Sequence, residues 1–346
     1  MEISGVKRKR FMVRGLIVSL MAMLVLGGLG TGLALVTPVQ AQIGGPPILE
    51  KPSPPPPAEE KKEEAPAVCG PMISDTCIPI TTGKFSMQVW SALSFYPGVF
   101  DKNWNSVDPG AKLHTLYTPI KFTYGPMKDM EVYVVVPFIT NWANDVKARG
   151  PNGENSASYS GIGDITAMAK YNFLPETDWR PAVSGVAGFA SIPTGHASLL
   201  NPAFLGSDAV GTGALTFTTG VNLYKWLKPF LFYSNIWLNS PVNLYKIGSD
   251  PTRNVRSREY VTFNLAAELP LFWKFTALLE MYSNWTWNNL NTIQGYQTPQ
   301  TVIGLLPALE FVATDKLSFA AGCSFDVAGK NGVQKFTPML TALYNF

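Results

Sequence analysis

Charged residues, histidine and cysteine are all scarce in this chain. Of its 346 residues only 15% are charged, and it has two histidines and three cysteines. So few ligands, widely scattered, offer no metal-binding spacing. The glycine motifs GIGD and GTGA precede strand-like rather than helix-like segments, which argues against phosphate binding. We therefore expect no metal and no cofactor.

A second long apolar run is also missing. Residues 15–36 form the only stretch long enough for a membrane helix, and a cationic start precedes it. Val39 and Ala41 occupy the −3 and −1 positions of a small-residue cleavage site, so we predict a cleaved signal peptide over residues 1–41. An uncleaved membrane anchor is the alternative. Any further membrane span must then be built from strands.

Net charge is low once the predicted signal is removed. Residues 1–41 carry five of the 27 basic residues and one of the 24 acidic ones, which leaves 22 basic against 23 acidic. A near-neutral chain has no electrostatic footprint for nucleic acid, so we expect no such partner.

Residues 42–80 differ in composition from the rest of the chain. Up to residue 67 they are rich in proline, glutamate and lysine, so they cannot form a core and are predicted to be a periplasmic linker. Cys69 and Cys77 enclose seven residues, and after export they could form a local disulfide. Two free thiols are the alternative. We also expect residues 67–80 to fold back as a small plug.

From Thr81 onward apolar and polar residues alternate, as in DITAMAKYNF and VTFNLAAEL. Such alternation predicts strands with one apolar and one polar face. We predict twelve strands, to within two, at about 83–96, 113–124, 130–142, 161–174, 182–194, 215–224, 229–239, 260–269, 275–287, 302–312, 317–327 and 336–346.

The connections between these segments alternate between long polar loops and short turns. Long loops are predicted at 97–112, 143–160, 195–214, 240–259, 288–301 and 328–335. This order is typical of a transmembrane up-and-down antiparallel β-barrel, with short periplasmic turns and longer outer loops. The sequence thus predicts an all-β fold over residues 81–346, in the outer membrane of a Gram-negative bacterium and in contact with its lipid.

Tryptophans lie near the predicted strand ends, where amphipathic rings meet lipid headgroups. We predict two aromatic belts formed by Trp142, Trp179, Trp226, Trp237, Trp273, Trp285 and Trp287. The chain ends in LTALYNF, an apolar alternating strand that would close the barrel. With Tyr344 and Phe346 it resembles the C-terminal signature of outer-membrane barrels, which implies recognition by the barrel-assembly machinery.

The polar face of each strand would line a lumen. The predicted lumen-lining residues are Lys84, Lys121, Glu131, Asp164, Lys170, Glu268, Glu280, Glu310 and Asp326. Charged side chains in a narrow lumen must be paired with an opposite charge or hydrated. Two interpretations stay open: a water-filled path, or salt bridges within a packed interior, because twelve strands lie between filled and open barrels.

Enzymatic alternatives have few candidate residues. In IPTGHASLLNPAF, His196 precedes Ser198 by two positions, a spacing similar to that of outer-membrane phospholipases, which implies a lipid-acting hydrolase. Asn201 is the available orienting residue, and His114 lies far away in sequence. A Gly/Pro-flanked polar loop explains the same residues, so we predict no enzyme and no catalytic residues. A sealed structural barrel is a third alternative.

Four strings carry a family resemblance: GIGDITAMAKYNF, GFASIPTG, GTGALTFTTGVNLYK and LKPFLFYSN. Together they resemble, over roughly residues 81–346, the outer-membrane β-barrel transporter family that is named after meta-pathway phenol degradation, a name that reflects genetic neighbourhood more than chemistry. The resemblance implies an outer-membrane channel that passes small organic compounds, aromatic or hydrophobic ones included, by passive diffusion through its lumen. It implies no catalytic residues.

Overall fold

The computed structural model describes residues 69–147, 149–244, 258–286 and 299–346. The predicted signal peptide, most of the predicted linker and Trp287 lie outside these residues. All described residues belong to one compact unit, Glu63–Phe346.

Strands account for nearly all regular structure in the described residues. Twelve are long, two are short (β2 and β5), and a 3₁₀ turn covers Pro202–Phe204. No helix in these parts of the chain has the length and apolar character needed to cross a membrane. In chain order the strands are β1 Phe85–Phe100, β2 Ser106–Val107, β3 Lys112–Tyr124, β4 Met130–Asn144, β5 Ala157–Ile162, β6 Ile165–Leu174, β7 Ala182–Ile192, β8 Ala214–Leu227, β9 Phe230–Asn243, β10 Tyr260–Pro270, β11 Phe275–Thr286, β12 Thr301–Val312, β13 Leu317–Lys330 and β14 Val333–Asn345.

The twelve long strands form a closed antiparallel barrel. Each pairs with its neighbours in chain order, and β14 pairs with β1, from Ser86 opposite Asn345 to Val99 opposite Val333. The Phe346 backbone N–H donates to the Phe85 carbonyl at 2.9 Å, and the two rings are 5.2 Å apart. The final strand therefore closes the barrel, as predicted. One end of the barrel holds the start of β1, the end of β14 and the short turns, and we call it the turn end. We call the opposite end the loop end.

Unlike a soluble protein, this barrel has charged side chains in its interior and apolar side chains on its outer face. Lys170, Glu268, Glu280 and Glu310 are almost completely buried inside it. Its outer face is exposed and apolar, as the period-two alternation of the strands requires. Exposed outer side chains include Phe122, Val134, Phe138, Tyr171, Phe232, Leu265, Leu279, Leu309, Phe319 and Leu340. The fold is thus that of a transmembrane β-barrel, and the predicted fold class is confirmed.

Two predicted boundaries were wrong. The connection predicted as a long loop at 328–335 is a tight turn, because β13 and β14 extend to either side of Asn331 and Gly332. An Asn-Gly pair between alternating strands is a strong hairpin signal, and Asn331 has a φ of +52°. The strand predicted at 161–174 is interrupted at Gly163 and Asp164, and both of its halves pair with β4.

Candidate functional site: a segment inside the lumen

Residues 69–80, named the plug here, lie inside the barrel. The Cys69 backbone N–H donates to Glu310 Oε2 on β12 at 3.0 Å. At the other end of the plug, the Ile80 N–H donates to Glu131 Oε2 on β4, also at 3.0 Å. Both carboxylates face the interior, so the plug crosses the lumen from one wall to another. Residues 67 and 68 of the predicted plug lie outside the described residues.

Glu280 holds the middle of the plug through its backbone. Its carboxylate accepts N–H groups from Met72 at 2.6 Å, Ile73 at 3.0 Å and Ser74 at 2.6 Å. Hydrogen bonds to a charged acceptor are roughly twice as strong as neutral ones. Three N–H donors also satisfy a carboxylate that has no exposed surface. One wall side chain thereby fixes three consecutive plug residues.

Asp75 is the polar centre of the plug. Its side chain accepts from Lys170 Nζ at 3.3 Å and from Asn222 Nδ2 at 3.1 Å. Its backbone exchanges two hydrogen bonds with the Asn235 amide, each 2.8 Å long. Every polar group of Asp75 is therefore matched by a group on β6, β8 or β9.

Lys170 joins the plug to the wall. Its ammonium lies 3.1 Å from Glu131 Oε1 and 3.3 Å from Asp75 Oδ1, and it donates to the Thr76 carbonyl at 2.9 Å. Its side chain has no exposed surface. A buried ammonium is tolerated only when paired and fully hydrogen-bonded. Here one partner belongs to the wall and two to the plug.

An apolar cluster packs the same level of the lumen. Met72 and Cys77 of the plug are buried among side chains from several strands, and Ile73 packs against the cluster. The wall members are Ala182, Tyr224, Leu231, Tyr233, Ala266, Leu278, Leu306 and Ala320. The plug thus combines polar anchoring with close packing, and the lumen is filled at the turn end.

The Glu268 and Glu310 carboxyls lie next to each other beside the plug. Glu268 Oε2 accepts from the Tyr233 hydroxyl at 2.8 Å, and Glu310 Oε2 accepts from Cys69 N–H. Among the described residues, the two remaining oxygens, both Oε1, are buried without a hydrogen-bond partner. In the described part of the chain no lysine or arginine forms an ion pair with either residue.

The loop end is narrowed by residues 193–213, which connect β7 and β8. Asn141, on the inner face of β4, donates its amide to the Ser207 carbonyl at 2.9 Å. Asp164 accepts from the Ser191 hydroxyl at 2.8 Å, the Thr212 N–H at 2.7 Å and the Gly195 N–H at 3.0 Å. Asp164 therefore holds this loop against the barrel mouth.

Most residues predicted to line the lumen lie in the interior. Glu131, Lys170, Glu268, Glu280, Glu310 and Asp326 are buried there. Lys121 Nζ lies 4.1 Å from the centre of the Tyr133 ring. Asp164 lies between β5 and β6, toward the loop end. Lys84 is exposed at the turn end, in the turn before β1, which begins at Phe85.

Two of the predicted belt tryptophans face the interior instead. Trp237 Nε1 donates to Asn222 Oδ1 at 2.7 Å, and Trp226 packs against the apolar cluster. Both share the inner face of their strands, which decides their environment more strongly than nearness to a strand end. Trp179 and Trp273 are highly exposed at the turn end. At the loop end Trp285 is exposed and Trp142 is half-buried.

The predicted Cys69–Cys77 disulfide is absent, and both thiols are free. Cys69 Sγ contacts the Phe319 carbonyl on β13 at 3.3 Å, whereas Cys77 is buried near Ser184 on β7. The plug runs across the lumen, so its two cysteines point to different walls. Burial, aided by the Glu310 carboxyl, also raises the pKa of the Cys69 thiol to about 12.

The histidines form no catalytic arrangement. His196 lies beside the Tyr159 ring at 6.0 Å between ring centres, and among the described residues no hydrogen bond joins it to Ser198. Asn201 caps the 3₁₀ turn by accepting from Ala203 N–H, and His114 packs on Phe95. No group of three His, Cys, Asp or Glu side chains in the described ranges could hold a metal ion.

Three side chains that contact the plug or its carboxyl anchors were not predicted from the sequence. Asn222, Asn235 and Tyr233 all contact the plug or its carboxyl anchors. Their position on the inner face of β8 and β9 was readable from alternation. Their contacts with the plug could not be predicted, because the plug is distant from them in sequence.

Comparison with solved structures shows that this chain is similar to outer-membrane proteins. An outer membrane channel from Pseudomonas putida F1 aligns with a TM-score of 0.63 and 14% identity, over 78% of this chain and 98% of that chain. At this identity the likeness establishes the fold alone. No protein-family model and no curated protein matches the chain.

Two further structures align more weakly. The translocator domain of the autotransporter NalP from Neisseria meningitidis has a TM-score of 0.42 and 11% identity, over 77% of this chain and 90% of that one. The CymD monoaromatic hydrocarbon channel has a TM-score of 0.38 and 7% identity, over 77% and 89%. Neither likeness is strong enough to carry an argument about function.

Proposed function

We propose that this chain is an outer-membrane channel through which small organic compounds diffuse passively, and that residues 69–80 gate it. The proposal depends mainly on one observation. A closed barrel with a polar interior is filled at one end by a segment of its own chain, held by side chains of the wall. A removable segment inside a polar lumen is what a gated channel requires.

The orientation follows from the strand connections. In bacterial barrels the short turns face the periplasm and the longer loops face outward. The plug would therefore close the periplasmic side, next to the predicted linker. Permeants would enter past residues 193–213 and descend toward Lys170 and Glu280. The exposed apolar outer face would meet lipid, and the Tyr344–Phe346 end would be read by the assembly machinery.

The permeant class comes from the family resemblance rather than from the lumen. The resemblance points to small organic compounds, with aromatic and hydrophobic ones included. The lumen itself contributes a polar, largely buried lining and no catalytic arrangement. We therefore propose transport, not chemistry, as the activity.

A sealed structural barrel is the second candidate, and a specific observation favours it. The plug and its wall partners are so well matched that Lys170, Glu280 and Asn235 retain almost no exposed surface. If this packing is permanent, the barrel serves to anchor the predicted linker to periplasmic partners. The two candidates differ in whether the lumen ever conducts.

Uptake in a deletion strain tests the transport proposal. Loss of the gene is expected to slow uptake of at least one class in a panel of radiolabelled aromatic and aliphatic compounds, because the outer membrane then lacks this path. Restoring the full chain should recover the rate. Equal uptake of every compound with and without the gene would contradict the proposal.

A further inference from the structure

We propose that Glu268 and Glu310 form a proton-binding site that controls the plug: one shared proton keeps the lumen closed, and its loss releases the plug. This inference depends on the proposed channel function, of which it describes the regulation. It is carried by the geometry of the carboxyl pair and by its direct bond to the plug.

The charge balance of the closed lumen sets this pair apart. Asp75 and Glu131 share the ammonium of Lys170, and Glu280 is satisfied by three plug N–H groups. Glu268 and Glu310 have no such compensation. Two adjacent carboxylates without a cation repel each other strongly in a buried setting, so such pairs hold one proton between them.

The unpartnered oxygens identify where that proton lies. Tyr233 and Cys69 donate to the Oε2 atoms, and both Oε1 atoms are buried without a partner among the residues that the structure describes. A proton between the carboxyls satisfies both oxygens at once. The pair is then a single negative charge that accepts hydrogen bonds from a wall tyrosine and from the plug backbone.

The groups around the pair would make the second negative charge, which appears when the proton is lost, still more unfavourable. From β11 the carboxylate of Glu280 faces it, and from β8 and β9 the hydroxyls of Tyr224 and Tyr233 do. The plug contributes only the Cys69 thiol, which is neutral at ordinary pH because burial raises its pKa. A second negative charge would thus appear among acidic and neutral groups.

The sign of the pH dependence follows. The closed state binds one more proton at this pair than a state in which the plug has left and water enters. Closed barrels are therefore favoured at lower pH, and rising pH shifts the population toward open ones. Because Cys69 N–H is bonded to Glu310 directly, the first part of the plug to detach would be its start.

The test measures single-channel conductance in planar bilayers from mildly acidic to alkaline pH. Wild-type protein should open at least tenfold more often at the alkaline end. Glu310→Gln should stay closed across the range, because its amide donates to Glu268 and still accepts from Cys69. Glu268→Gln should behave in the same way, which covers the case in which one variant fails to fold. The loop variant Glu154→Gln should open like wild type.

A second measurement reports the plug itself. In a Cys77→Ser, Cys323→Ser background, maleimide labelling of Cys69, normalised to unfolded protein at each pH, should rise with pH in parallel with conductance. Glu310→Gln should suppress that rise. A pH-independent wild type, or a Glu310→Gln variant that opens and labels like wild type, would overturn the inference.

Two controls distinguish failure of the proton-binding site from failure of the proposed channel function. Protein lacking residues 42–80 has no plug and should always be open. If this protein carries no current, the proposed channel function itself is contradicted. Opening caused by a metal chelator at constant pH would overturn the proton assignment, because a bound cation would then be neutralising the pair.

Discussion

A chain that lacks residues 42–80 is expected to conduct steadily in planar bilayers, whereas the full chain is mostly closed. The deletion removes the plug, together with its contacts to Glu280, Glu131 and Glu310. The β1–β14 seam that closes the barrel uses none of the deleted residues. We expect at least a tenfold increase in mean current, because the lumen would be filled with water in place of the plug.

A shorter deletion provides the control. Removing residues 42–66 takes away the proline-rich part and leaves the plug, so this variant should remain closed like the full chain. If the longer deletion gave folded barrels, seen by circular dichroism and heat-modifiable gel mobility, but no current, the sealed structural barrel would be the correct account.

Replacement of Lys170 by methionine should release the plug without shortening the chain. Methionine has about the same volume, but it leaves Asp75 and Glu131 buried together without a cation. Removing one partner of a buried ion pair costs about 3–5 kcal/mol. In the open state Asp75 returns to water and most of this cost disappears. Since ~1.4 kcal/mol is a factor of ten, the open fraction should rise by roughly a hundredfold or more.

Lys225→Met is the matched control for this substitution. Lys225 pairs with Glu176 at 3.1 Å, near the turn end and without contact to the plug. Its loss removes this ion pair and two hydrogen bonds to the Thr177 and Asp178 carbonyls, but it should leave conductance unchanged because no plug residue is among its partners. A Lys170→Met channel as closed as that of Lys225→Met would show that the ammonium does not hold the plug.

The sequence predicted the barrel and its two faces because alternation is a local property. Lys170 and Glu280 were assigned to the lumen from their own strands, without knowledge of any neighbour. Trp226 and Trp237 were assigned by their nearness to strand ends, and that criterion failed where the inner face dominated. Had alternation been applied to them, Trp237 would have fallen on the same face as Asn235.

Contacts between the plug and the wall could not be predicted in the same way. Glu280 and Met72 are 208 positions apart, and no local sequence pattern predicts that the Glu280 carboxylate accepts the Met72 N–H. The disulfide between Cys69 and Cys77 was inferred from sequence spacing alone. Spacing does not reveal a path across the lumen that brings the two thiols to different walls.

Cross-linking of Cys69 to the barrel wall tests the central claim most directly, namely that residues 69–80 lie inside the lumen. The Ser318 side chain on β13 is buried and lies near the Cys69 thiol, which contacts the carbonyl of the next residue, Phe319, at 3.3 Å. Ser318→Cys, with Cys77→Ser and Cys323→Ser, should therefore form a disulfide to Cys69 in oxidised membranes, detected by mass spectrometry of the linked peptides. Ser324→Cys, on the same strand and face but nearer the loop end, should not. If Ser318→Cys gave no cross-link while Cys69 reacted freely with maleimide, the plug would lie outside the barrel and the account would be wrong.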